Sequence, residues 1–198
     1  MNFVKNIEDD KEMIFSKLSS RTKDIERYFY IKKQYRKGNI QNNPEFQRVY
    51  KKFYAMNAAG LTPEFLKEYF RILSNKEINL KKILKKLYKI PRRRGDRAVH
   101  FSFSTKLLHT INNDLPIYDK LVGKFLNLKI IGKNKIDRIN SCNEAYGKLK
   151  RLYNELINNR KIKKIILEFR EKFNCGKEKI SDTKILDFVI WAKGQLEK

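Results

Sequence analysis

Lys106 and Asp119 are the residues of this chain whose type and setting suit covalent chemistry. Lys106 stands in His100-Phe-Ser-Phe-Ser-Thr-Lys106-Leu-Leu-His, just inside a predicted helix start. Asp119 follows the turn Leu115-Pro116-Ile-Tyr-Asp119, at the start of the next predicted helix. An amine and a carboxylate on adjoining helix ends can act on a sugar. The amine bonds to the anomeric carbon, and the carboxylate stabilises the positive charge that develops there. Attack needs a neutral amine, whereas a free lysine titrates near about 10.4. Burial, and the cations Arg92, Arg93, Arg94 and Arg97, would lower that value. A carboxylate at a helix start also caps free amides, worth about 1 kcal/mol, so Asp119 has a structural role in either case.

The elements that must position this pair are helices. Charged segments over about 8–19 and 21–36 place Ile14, Phe15 and Leu18 on one face. Pro44 suits a first helical position, and Gly60 suits a left-handed stop after residues 54–59. Thr62 and Asn79 are expected N-caps. Leu80, Ile83, Leu84, Leu87 and Tyr88 recur at helical spacing, with lysines on the other face. Pro91 ends that helix, and residues 91–100 form a basic loop. Ser102 or Ser104 is expected to cap the Lys106 helix. The Asp119 helix carries Leu121, Val122, Phe125 and Leu126. Helices over about 136–158 and 160–173 follow, and Ser181 caps a last one that buries Ile185, Leu186 and Val189. No period-two run of useful length occurs, so the fold class is all-α, with two helical lobes flanking a groove. One domain over 1–198 is expected, with 1–43 as an N-terminal extension and 44–198 as the core.

The chain carries 46 basic and 22 acidic residues, a formal charge of +24. Such a surface suits a polyanion, because cationic side chains release counterions from phosphate backbones. Lysine, isoleucine and asparagine are all abundant, as an AT-rich gene also produces. Cys142 and Cys175 are far apart and form no disulfide framework. Two cysteines and two histidines without ligand spacing give no metal site, and no cofactor is implied. No apolar run reaches membrane-spanning length, and residues 1–6 lack signal-peptide character. The expectation is a cytoplasmic monomer that does not engage a membrane.

The segment Phe103-Ser-Thr-Lys106-Leu-Leu-His-Thr-Ile, with the Pro116–Asp119 turn, resembles the helix-hairpin-helix DNA glycosylases. Within that superfamily it is most similar to the 8-oxoguanine DNA glycosylase branch, compact archaeal-type members included. The resemblance covers about residues 50–195. Phe101-Ser-Phe-Ser replaces the usual glycine-rich hairpin, and Asp119 lies three residues after the proline rather than two.

The resemblance implies Lys106 as nucleophile and Asp119 as its electrostatic partner. It implies that Asp187 and Trp191, one turn apart on the last helix, hold a base flipped out of the duplex, with Thr110 on the opposite side. Arg92, Arg93, Arg94, Arg97, His100, Ser102 and Ser104 would contact DNA. The implied enzyme is a glycosylase with AP lyase activity, acting on an oxidised purine, 8-oxoguanine, in double-stranded DNA. Another modified base, or a non-catalytic DNA-binding module, are the alternatives. Trp191 reads equally well as core.

Overall fold

The computed structural model describes residues 3–176 and 180–196. Among these, every regular element is helical. In chain order they are α1 (Phe3–Asp9), α2 (Lys11–Ser19), α3 (Thr22–Lys37), a 3-10 turn (Ile40–Asn42), α4 (Pro44–Phe53), α5 (Pro63–Ser74), α6 (Leu80–Tyr88), α7 (Phe101–Ile111), α8 (Lys120–Phe125), α9 (Lys135–Asn158), α10 (Arg160–Lys172) and α11 (Asp182–Leu196). They form two compact units. One comprises Lys23–Asn112 and Ile131–Asn143, and carries α7. The other comprises Met1–Thr22, Asn113–Ile130 and Glu144–Lys198, and carries α8 and α11.

In the α7 unit, side chains that compete poorly inside helices start them well. Asn43 accepts from the Phe46 amide at 2.9 Å, Thr62 from Phe65 at 3.2 Å, and Asn79 from Lys82 at 3.0 Å. Each satisfies an amide that the helix cannot. Pro44 and Pro63 follow two of these caps. α4 stops at Phe53, earlier than Gly60 suggested, because Ala55 already takes a left-handed φ of 53°. Gly60 is left-handed as well, at φ 64°. Phe46, Tyr50, Phe65, Tyr69, Phe70 and Leu84 are almost wholly buried and form an aromatic-rich core. Each such side chain stabilises the fold by about 1.5–3 kcal/mol.

In the other unit α11 is the central element. Between Thr183 and Gly194 only Trp191 escapes burial. α11 packs on α2 and on α8. Gly194 makes the second contact possible: a Cβ there would stand 2.9 Å from the Leu121 Cβ. Ser181 caps α11, accepting from the Lys184 amide at 3.3 Å. Ile14, Phe15 and Leu18 of α2 are buried as their spacing required. The predicted helix over 8–19 is divided at Asp10, which separates α1 from α2.

The start of the Lys106 helix needs a correction. α7 begins at Phe101 behind His100, without a side-chain cap, so Ser102 and Ser104 lie inside it. The Ser104 hydroxyl turns back to the His100 carbonyl at 2.9 Å instead of facing a free amide. Serine side chains satisfy helix carbonyls this way when no amide is within reach.

Candidate active site and nucleic-acid interface

α7 is buried over most of its surface; Ser102, Phe103 and Lys106 are partly exposed together, as is Ile111 at its end, with Thr110 one turn below Lys106 and 8% exposed. Lys106 Nζ donates to the Tyr54 carbonyl at 3.2 Å. It lies 5.1 Å from the centre of the Phe103 ring and 5.8 Å from that of Tyr54. Carbonyl oxygen and ring faces both attract an ammonium group, each modestly. The lysine is thus half-buried among aromatic rings.

Behind Lys106 runs a buried line of hydroxyls. Tyr69 Oη donates to the Phe103 carbonyl at 2.9 Å, and Thr110 Oγ1 donates to the Lys106 carbonyl at 2.8 Å. Tyr50 Oη stands between them, 3.0 Å from Tyr69 Oη and 3.1 Å from Thr110 Oγ1. Burial pushes both tyrosines well above their ordinary pKa, so both keep their protons. Three hydroxyl protons therefore serve four contacts, and the Tyr50 proton chooses between Tyr69 and Thr110. Thr110 is occupied here, holding the two turns of α7 that flank Lys106. His109 is fully buried, with Nε2 3.3 Å from Tyr28 Oη.

The loop before α7 is built from its own arginines. Arg92 pairs with Asp96, and its amide donates to the Asp96 carbonyl at 2.8 Å. Gly95, at φ 84°, allows this tight turn. The Arg93 amide and Nε donate to the carbonyls of Gly60 and Leu61 at 2.9 and 3.2 Å. Arg94 and Arg97 are exposed, and no ion pair among the described residues involves them. His100 is 7% exposed against Phe65, whose ring centre is 4.4 Å away. Burial first, then the charge of Arg92, lowers its pKa to about 4. It is therefore neutral at pH 7 and offers no cation to a phosphate. Ser104 is fully buried, and Ser102 is partly exposed.

The remaining predicted residues lie in the other unit. Asp119 caps α8, accepting from the Val122 amide at 2.8 Å. Its turn is held by Tyr146, whose hydroxyl donates to the Pro116 carbonyl at 3.3 Å. Asp187 is buried and paired with Lys184 at 2.6 Å, and the Lys184 ammonium lies 4.4 Å from the centre of the Phe188 ring. The Arg21 guanidinium covers the Trp191 ring at 4.8 Å. Asp119 and Asp187 both act on Tyr153. Burial raises the Tyr153 phenol well above its usual pKa, and the two carboxylates raise it further. Its hydroxyl is buried without a hydrogen-bond partner among the described residues. Tyr153 also borders a cleft of about 500 Å³, walled by Lys150, Arg170, Ser181, Asp182 and Thr183 among others. Asp119, Asp187 and Trp191 do not line it.

Lys106 and Thr110 are thus together on one helix face, and Asp119 and Asp187 bear on one phenol. The residues that sequence reasoning missed are mostly tyrosines: Tyr50, Tyr54, Tyr69 and Tyr153. Lys184 was missed too, although a lysine one turn before Asp187 on the same helix is a local signal of a pair. Among the described residues no three metal-ligating side chains cluster, and no helix is long and apolar enough to cross a membrane. Comparison with protein-family models, with curated proteins and with solved structures finds no match.

Proposed function

We propose that the chain is a base-excision DNA glycosylase with AP lyase activity, removing an oxidised purine such as 8-oxoguanine from duplex DNA. The observation that carries this reading is the Lys106 amine, half-buried between the Phe103 and Tyr54 rings on a helix whose other faces are packed. A flipped nucleotide brings its sugar to such a recess. The amine releases the Tyr54 carbonyl and, in its neutral form, bonds to C1′. The bond from C1′ to the base breaks, and the base leaves with the electron pair and takes up a proton. The resemblance assigns Asp119, which caps α8, the role of opposing the positive charge on the sugar. Loss of an amine proton and opening of the sugar ring give a Schiff base. Removal of a C2′ proton then expels the 3′ phosphate.

A non-catalytic duplex-binding module is the second reading. It is favoured by the Lys184 amine already on Asp187 and the Arg21 guanidinium already on Trp191, the two residues meant for the base. Borohydride reduction on 8-oxoguanine duplex separates the two. The first reading expects a covalent adduct, lost in Lys106→Gln. An adduct that persists in that variant removes Lys106 as nucleophile. Duplex affinity with no adduct and no base release from a panel of lesions supports the module.

A further inference from the structure

Helix α6 has a surface of one sign. Lys81, Lys82, Lys85, Lys86 and Lys89 are all exposed, opposite Leu80, Ile83, Leu84 and Leu87, which are 0–6% exposed. From Asn79 to Gly95 the chain has eight cations and no acid. The helices α3, α5, α9 and α10, by contrast, interleave acids with their bases. Among the described residues, only Lys86 of these five lysines has an ion-pair partner, Glu77 at 3.9 Å, and it also acts on Glu68. The chain then runs directly through the arginine loop into α7, on which α6 packs.

We propose that this lysine face, continued by Arg94 and Arg97, is the track that holds the phosphate backbone of duplex DNA. The choice of duplex DNA as the polyanion rests on the glycosylase reading above; the choice of surface does not. A membrane is a poor fit, because the apolar side of α6 is spent in the core and leaves nothing to insert. A single strand is a poor fit too, because such sites stack bases on aromatic rings. The one aromatic here, Tyr88, is faced by the Lys135 ammonium at 4.8 Å. Lys81 to Lys89 spans about 12 Å of helix axis. Duplex DNA presents one charge per about 1.7 Å of its axis, dense enough to give every lysine on the row a phosphate. Because α6 and the loop lead into α7, a backbone held there lies against the element that carries Lys106.

The test is the salt dependence of binding to lesion-free duplex DNA, which requires no chemistry. Four substitutions on α6, Lys81→Gln, Lys82→Gln, Lys85→Gln and Lys89→Gln, are compared with four elsewhere, Lys148→Gln, Arg160→Gln, Lys163→Gln and Lys164→Gln. The α6 set should flatten the slope of log affinity against log salt by about 3.6, at roughly 0.9 per contact, and the control set should leave it almost unchanged. All eight positions are exposed, so circular dichroism should show both variants folded, and Lys81→Gln with Lys85→Gln alone should give about half the effect. An unchanged slope, an equal fall in the control set, or an effect confined to duplex RNA or single strands overturns the proposal. Failure of wild-type trapping overturns the glycosylase reading instead, and leaves the slope result standing.

Discussion

Lys106 on α7 and Lys184 on α11 hold an amine inside a helical protein in two different ways. Lys184 is 2% exposed and faces a carboxylate at 2.6 Å. Its charge is matched, and releasing it would take the ammonium away from a buried carboxylate. Lys106 is only half-buried and is tethered to a neutral carbonyl at 3.2 Å. Letting go of that carbonyl costs an ordinary hydrogen bond, about 1 kcal/mol, because the acceptor is uncharged. A nucleophile must leave its resting partner to reach the substrate. The difference teaches that a buried lysine beside an aspartate is the better anchor and the worse nucleophile.

Stability measurements can break this comparison. Lys184→Met should cost about 3–5 kcal/mol in urea denaturation, because the buried Asp187 carboxylate loses its ammonium partner. Lys106→Met should cost less than about 1 kcal/mol. Adding Asp187→Leu to Lys184→Met should recover most of the loss, and equal losses at the two lysines would erase the distinction. A second test uses pH. His100 has a folded pKa of about 4 against an ordinary value of 6.5. The unfolded chain therefore takes up a proton between these values that the folded chain refuses. Stability falls as pH drops through that window. Between pH 7 and 4.5, wild type should lose about 2 kcal/mol more than His100→Phe. The third effect is smaller and sharpens the contrast between hydroxyls. Tyr153→Phe removes a buried hydroxyl without a partner and should be neutral or stabilising by up to about 1 kcal/mol. Tyr50→Phe removes a bonded one and should cost about 1 kcal/mol. Thermal melts of the two variants give the comparison, and a clear loss in Tyr153→Phe would mean that its hydroxyl has a partner in solution.

Local signals carried most of the fold. Asn43, Thr62, Asn79, Asp119 and Ser181 cap helices as their residue types suggest, and the apolar stripe of α6 is buried. These features depend on a few neighbouring residues, which the chain order displays. Ser102 and Ser104 misled because a serine can satisfy an amide ahead of it or a carbonyl behind it, and only the backbone path decides. The surroundings of Lys106 were less legible. Tyr50, Tyr54 and Tyr69 come from α4, its end and α5, many residues before α7, and nothing local marks them among the ten tyrosines. Two lobes were expected, but which stretches compose each was not legible for the same reason, since each is assembled from separated stretches.

Gly194 carries a consequence for how the Asp119 carboxylate could be lost. The space that glycine leaves is filled by the Leu121 Cβ, an atom fixed to the α8 backbone that no rotamer change can move aside. Leu121 lies two residues beyond Asp119, within the turn whose amide the carboxylate caps. One added methyl at position 194 would push on that turn from seventy-five residues along the chain. The carboxylate would keep its identity and lose its position, so the Asp119 cap is most vulnerable at a residue that has no side chain at all.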